Sequence, residues 1–407
     1  MLLVLVAALA ALAANLWAAP DEHYEALRLA SEAFYEISHK HVTPKSEAEM
    51  IEGALRGMMN SLDPDSSYLT PAEYRELQKG NLRPAADAGM ELVFKDNFLT
   101  VVSVQDGGPA FRAGIRPGDH IIKINGQLIR NLTTQEGIRR FQGNPGTKIK
   151  VMVLRNGLIK PLDLEVTLAP PRPPRVTRQM LADNLLYVRV AGFTNDTPAE
   201  LATVLKEAQH RRPPVTGVIL DLRNNARGSL EQAVRTASLF VGAKKIVSTK
   251  GRKLVTEQHF YGKERDKLFK SNLPLVVLVD QGTARAAEIV AAALKSHARA
   301  TLLGTKTFGL CGITRVLPLK DGSALIMTVA HCYTPQGKKI TGNGLTPDVE
   351  GKEAKPAALR PVGAPWPPPE KDPWVKQAID LIKKGARGAW LGEPRRFWQD
   401  DGTAAKS

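Results

Sequence analysis

The chain has 407 residues, more than one hydrophobic core usually organises, so two or three domains are expected. Hydrophobic residues at 43%, charged residues at 24%, and 28 prolines against 33 glycines exclude a disordered or collagen-like chain. The formal charge of +15 is carried unevenly, about −5 before Pro84 and about +10 between Pro171 and Lys270, and the two cysteines, Cys311 and Cys332, exclude a disulfide-rich scaffold and a Cys-only metal site while permitting one bridge.

Met1 to Ala19 is almost unbroken Leu, Val and Ala, long enough for a short membrane span and compatible with a signal-peptide core. Residues 1–19 are therefore expected to act as a signal peptide or a membrane anchor, which makes the protein exported: periplasmic or otherwise extracytoplasmic, anchored or released. From 20 to 85 apolar residues recur at helical spacing (Tyr24, Leu27, Phe34, then Ile51, Leu55, Met58), which predicts an N-terminal helical segment. Within it SLDPDSSYLTPAEY places Thr70 as an N-cap with Pro71 at the first helical position. His39 and His41 have no third ligand nearby and read as loop histidines, so no metal and no cofactor is expected.

Residues 86–169 change to short strands (LTVVSV, HIIKI, KIKVMVL, LDLEVTL) between glycine turns, with one helical run around Thr133 to Phe141. The stretch GGPAFRAGIRPGDHIIKING resembles the PDZ domain signature. That resemblance implies a loop offering backbone N–H groups to a peptide's terminal carboxylate, here around Gly89, Met90, Glu91 and Leu92, with Ile138 and Phe141 lining the groove from the helix. Read as plain strand residues, Met90 and Leu92 would instead be core.

The proline-rich linker from Pro170 marks a boundary. From 170 to 350, strand-like runs (NLLYVRV, VTGVILDL, PLVVLVD, RATLLG) alternate with helical stretches, which predicts an α/β core with a mostly parallel sheet. The basic stretch from Lys244 to Lys270 is broken by acidic residues and reads as a solvated face, and no nucleic-acid partner is expected. Residues 351–407 form a Pro-rich tail with one helix expected from Pro373 to Lys384.

Three segments of the core, VILDLRNNARGSLEQAV, PLVVLVDQGTARAAEIVAAAL and the run from Leu302 to Val349, together resemble the carboxyl-terminal processing (tail-specific) proteases with an embedded PDZ domain. The resemblance implies a crotonase-like α/β core and a serine/lysine dyad. A dyad needs a hydroxyl nucleophile beside an amine neutral enough to take its proton. At the family's nucleophile position stands Arg285, at its base position Leu310, and at the glutamine position Thr314. The Asn-Pro-Gly-Gly oxyanion turn reads Asn225, Ala226, Arg227, Gly228. Arginine does not release a proton at physiological pH and leucine has none to exchange.

The expected function is thus an inactive homologue of these peptidases, a peptide-binding adaptor or regulator at the membrane. Its expected partners are C-terminal tails of other proteins and an active protease relative. The alternatives are an active endopeptidase using a non-standard site drawn from Thr283, Cys311, His297 and His331, and a membrane-proximal scaffold. Register arithmetic supplies one more expectation: with a two-residue Asp321-Gly322 turn, Cys311 faces Cys332 at a non-hydrogen-bonded site, which makes the two a disulfide candidate.

Overall fold

The computed structural model describes residues 22–79, 84–95, 98–129, 134–173, 176–252, 257–269, 273–352 and 367–386. The Met1–Ala19 segment, the end of the proline linker and most of the 351–407 tail lie outside the described residues. Contacts divide the chain into a unit ending at Met58 and a unit from Met59 onward.

The first unit holds α1 (Glu22–Lys40) and most of α2 (Glu47–Asn60), where Glu47 and Glu49 complement the helix dipole in the first turn of α2. Tyr24, Leu27, Tyr35 and Ile37 of α1 are more than half exposed, so the apolar stripe that predicts this helix does not mark a buried face.

The second unit opens with β1 (Ser67–Leu69) and α3 (Pro71–Gln78). Thr70 caps α3 as expected, and the capping box is complete: Glu73 N–H donates to Thr70 Oγ1 at 3.4 Å and Thr70 N–H donates to Glu73 Oε2 at 2.6 Å. The segment expected to be helical to 85 is interrupted by β1, whose side chains are all buried.

Ten short elements follow: β2 (Ala86–Asp87), β3 (Met90–Lys95), β4 (Phe98–Val104), α4 (Pro109–Arg112), β5 (His120–Ile124), β6 (Gln127–Leu128), α5 (Thr134–Arg139), β7 (Gln142–Gly143), β8 (Lys148–Leu154) and β9 (Leu162–Thr167). β3, β4, β5, β8 and β9 form a sheet in that order, with β6 paired to β5 and β2–β7 a separate pair, around a core that includes Leu99, Val101, Ile121, Val151, Val153 and Val166. Arg155 makes a buried two-pronged ion pair with Asp119, both bonds 2.7 Å, and donates to the Gly114 carbonyl at 2.7 Å. With its hydrogen bonds met inside the fold, this pair fixes the glycine-rich turn of the PDZ-like signature.

The core continues with β10 (Val176–Met180), β11 (Leu185–Val190), α6 (Thr197–His210), β12 (Gly217–Asp221), α7 (Leu230–Val241), β13 (Lys245–Gly251), β14 (Gln258–Tyr261), β15 (Leu275–Val279), α8 (Ala286–Ser296), β16 (Thr301–Gly304), β17 (Gly312–Pro318), β18 (Ala324–Tyr333), β19 (Val349–Glu350) and α9 (Pro373–Ala386). The main sheet runs β10-β11-β12-β15-β16-β19, parallel except at the β10 edge. Residues of α6, α7 and α8 pack on one face, and Trp374, Val375, Ala378 and Ile382 of α9 on the other. Cover on both faces is why β12 and β15 are apolar almost without alternation and buried throughout. The basic stretch expected as a solvated face contains the β13–β14 pair, part of a second sheet with β18, β17 and β1.

The β17–β18 hairpin joins Cys311 to Cys332 in a disulfide, but by a different register from the expected one. Leu319 N–H donates to Ser323 C=O at 2.8 Å, so the loop has three residues, Lys320 to Gly322, with Gly322 at φ +84°. That displaces the pairing by one residue, as Pro318 opposite Ala324 shows. A bulge at Val329 then restores it, because Thr314 faces Thr328 whereas Ile313 faces Ala330. The two displacements cancel before the cysteines. Cys332 N–H donates to Cys311 C=O at 3.1 Å and the Cα atoms are 5.6 Å apart, the spacing of a hydrogen-bonded rather than a non-hydrogen-bonded pair.

Candidate functional site

The loops that leave the carboxyl ends of β12, β15 and β16 converge, and such a crevice is where open parallel sheets bind their ligands. Backbone bonds sew the three together. Ala284 N–H donates to Asn225 C=O at 2.9 Å, Arg285 N–H to Leu310 C=O at 2.9 Å, and Phe308 N–H to Thr283 C=O at 3.1 Å. The Arg285, Leu310 and Arg227–Gly228 positions are therefore brought to one place. Thr314 is not part of this cluster: it stands exposed on β17, opposite Thr328.

Arg285 precedes α8 with φ +53° and ψ −118°, a conformation that costs a non-glycine residue about 1–3 kcal/mol. Its Nη2 donates to Asp65 Oδ1 at 2.7 Å. Burial pushes the Asp65 carboxyl above its ordinary value, and the Arg285 charge opposes that rise. Asp65 comes from the turn before β1, so the segment joining the helices to the core supplies the counter-charge.

Leu310 is buried with Val93, Val102, Ala226 and Ala284, and Phe308 packs against the same group. Two of these walls belong to β3 and β4 of the PDZ-like module. The turn at 224–228 also contacts that module: Arg227 Nε donates to Glu91 Oε1 at 2.6 Å, and Asn224 Oδ1 accepts from Val104 N–H at 2.7 Å. Gly228 has φ +127°, and a Cβ there would meet the Phe193 Cβ at 2.4 Å. Glycine is therefore required at 228, whereas Arg227 is held by its side chain.

Glu288 lies wholly buried in the first turn of α8 and accepts from the Thr307 hydroxyl, Gly309 N–H (2.8 Å) and Leu310 N–H (3.0 Å). Burial pushes its carboxyl up to about 7 against those donors. It fixes the Thr307–Leu310 loop to α8.

Three of the four side chains of the non-standard site, those of Thr283, Cys311 and His297, are committed elsewhere. Thr283 Oγ1 donates to Leu222 C=O at 2.9 Å and accepts from Asp280 N–H at 3.0 Å. Cys311 is in the disulfide, so the thiol that a Cys311/His331 pair requires is absent. His297 Nε2 bonds the Lys245 carbonyl at 2.6 Å. Burial holds His331 below its ordinary value, helped by Lys339.

In the PDZ-like module the expected peptide-binding residues separate into two sets. Met90, Glu91 and Leu92 belong to β3 rather than to a loop, and Leu92 and Phe141 are buried in the module core, unavailable to line a groove. They point inward because the sheet needs apolar cover on that face. Met90 and Ile138 remain half-buried and pack against the module core. Gly89 has φ +65°, the backbone freedom such a turn needs, and its N–H donates to Asp87 Oδ1 at 2.8 Å. Phe94 N–H of β3 donates to the Thr134 hydroxyl at the start of α5 at 2.9 Å, which donates to the Pro64 carbonyl at 3.0 Å.

Asp65 and Glu288 are residues of this cluster that sequence reasoning missed, and Glu91, expected in a carboxylate-binding loop, instead accepts from Arg227. Asp65 stands inside the SLDPDSSYLTP run, and Glu288 closes the run from Thr283 that was read against the family's nucleophile motif, so both lay within motifs already singled out.

A parallel-sheet core carrying a PDZ module against the loops at the ends of its strands defines a protein of the processing-peptidase type. Residues 86–168 match the PDZ domain family, and residues 184–351 match peptidase family S41. The chain is 35% identical over 335 residues to a carboxy-terminal-processing protease of Bartonella bacilliformis, covering 82% of this chain and 76% of the relative. It is 30% identical over 327 residues to the carboxy-terminal processing protease CtpA of Bacillus subtilis, covering 79% and 68%. The solved photosystem II D1 C-terminal processing protease superposes with a TM-score of 0.68 at 28% identity, covering 81% of this chain and 88% of that one. The chain belongs to peptidase family S41, the carboxy-terminal processing proteases.

Proposed function

We propose that this member of the family holds the C-terminal tails of client proteins without cleaving them, as an adaptor or regulator at a membrane. The observation that carries the proposal is the chemistry at the positions aligned with the dyad. One is a guanidinium bonded to Asp65, the other an aliphatic side chain sealed among Val93, Val102, Ala226 and Ala284. Neither accepts a proton from a hydroxyl nor attacks a carbonyl. The engagement of Thr283 and Cys311 in structural bonds supports the same reading. What remains useful is the PDZ module, with the edge of β3 facing α5 as a slot for an added strand. Placement outside the cytoplasm, with residues 1–19 as signal or anchor, and pairing with an active relative complete the proposal; the apolar Met1–Ala19 run supports the first.

The test is incubation of the purified protein with an unfolded casein-like substrate and with tail-bearing peptides, alongside a serine-directed probe. Binding of free C-terminal tails with no cleavage and no labelling is expected. Turnover that survives exhaustive purification and disappears on mutating Thr283 would overturn the reading.

A further inference from the structure

The main sheet ends at β10, an edge strand with nothing paired on its outer side among the described residues. Leu181 N–H donates to Leu185 C=O at 2.8 Å, continuing the register in which Thr177 faces Arg189 and Gln179 faces Tyr187. Antiparallel alternation therefore gives the inward bonds to the odd-numbered residues and turns the N–H and C=O groups of Arg178 and Met180 outward. Val176, also outward, donates its N–H to Glu200 Oε2 at 3.3 Å.

Two cavities flank this edge, one on each face of the sheet. On the face of α6 lies a space of about 500 Å³ walled by Met180, Leu186, Val204 and Ala208, with Arg178 and Arg211 at its rim. On the opposite face lies one of about 430 Å³ beside Thr177, Gln179, Tyr187 and Arg189. Side chains of an added strand alternate between the two faces of a sheet. A strand beside β10 would thus send every second side chain toward Met180, Leu186, Val204 and Ala208 and the others toward Thr177, Gln179, Arg189 and Asp221, in a cavity that Phe111 and three prolines also line.

The charge at the rim of the cavity on the α6 side is net positive, two arginines against one carboxylate. Arg211 and His210 are exposed there, and Arg178 is paired with Glu207, the one carboxylate lining that cavity. We propose that β10 is a second peptide-docking edge, separate from the PDZ module. Its occupant is an extended segment of another polypeptide with alternating large apolar and polar residues, flanked by acidic ones. It binds by strand addition without reading a terminal carboxylate.

The test uses the full chain and a fluorescein-labelled peptide, Asp-Leu-Gln-Val-Asn-Leu-Asp, capped as an amide so that carboxylate recognition plays no part. A peptide of the same composition with its three apolar residues adjacent is the control. Arg178→Pro removes one outward N–H and leaves the bonds to β11 in place, and proline is tolerated on edge strands. Saturable binding is expected, weakened at least tenfold both by the reordered peptide and by Arg178→Pro, with slowed amide exchange across 176–181 when the alternating peptide is bound. Unchanged thermal midpoint in Arg178→Pro, and unchanged binding of a free-carboxylate tail, keep this result independent of the PDZ reading. Equal binding by both peptides, equal binding by Arg178→Pro, or protection of 176–181 that rises with protein concentration alone would each overturn the proposal, the last by showing a second copy at the edge.

Discussion

Breaking the Cys311–Cys332 disulfide should cost about 3 kcal/mol, because it closes a loop with a sequence separation of 21 and removing it returns that closure entropy to the unfolded chain. For a cooperative unit of this size the loss corresponds to a fall in thermal midpoint of about 4 °C. The two sulfurs are buried, so Cys311→Ser/Cys332→Ser is the cleaner perturbation than reductant, and it adds little cavity. A local consequence follows as well. Cys311 adjoins Leu310, whose carbonyl accepts the Arg285 N–H, so amide exchange at Arg285 should quicken more than exchange in β12 or β15. Calorimetry of the double variant and exchange measured by mass spectrometry read the two effects. Two thiols freely alkylated in protein isolated without reductant, or a midpoint indifferent to the double substitution, would refute the reasoning.

Restoring the family's residues with Arg285→Ser, Leu310→Lys and Thr314→Gln should recover little peptidase activity on casein-like substrates. An ammonium among Val93, Val102, Ala226 and Ala284 lacks acceptors, the variant loses about 2 kcal/mol of apolar burial, and Ala226 and Arg227 still occupy the oxyanion turn; activity equal to that of an active relative would contradict this. The PDZ-like module, residues 86–169 expressed alone, should bind peptides with an apolar C-terminal residue at roughly micromolar affinity, as the few hydrogen bonds of strand addition allow. Amidation should weaken that binding markedly, and titration with amidated and free peptides decides it. Glu288 carries a folded-state value raised from 4.5 to about 7, so its contribution is fully present below about pH 4.5 and is lost as pH rises through 7, a fall of about 3 kcal/mol. Urea unfolding from pH 5 to 8 should show that slope in the protein and a flatter one in Glu288→Gln. The half-buried Arg227–Glu91 pair should show a coupling of no more than about 1 kcal/mol in a double-mutant cycle, since both side chains retain access to water.

Local patterns carried much of this fold. The apolar run at 275–279, alternating with helical stretches, read as a strand of a mostly parallel sheet, Thr70 before Pro71 read as a helix cap, and the glycine-rich signature at 107–126 laid out the turn that Asp119 and Arg155 hold. These depend on interactions within a few residues or on periodicity, which a sequence displays directly. The reading of Arg285 and Leu310 as the dyad positions rests on the same kind of local pattern, since a motif proposes which side chains the chemistry could use. Tertiary structure decided what those side chains meet. Arg285 finds Asp65, which stands 220 residues away in sequence, and Leu310 is walled by valines of a separate module. Leu92 and Phe141 turned inward because the module sheet needed apolar cover. The cysteine pair shows both sides: the hairpin was readable from alternation and an Asp-Gly turn, yet the three-residue loop and the bulge at Val329 offset each other, and nothing in the local sequence sets where a strand takes up an extra residue. Burial of a charge or displacement of a register is settled by elements distant in the chain, and their arrangement exists only once the sheets have paired.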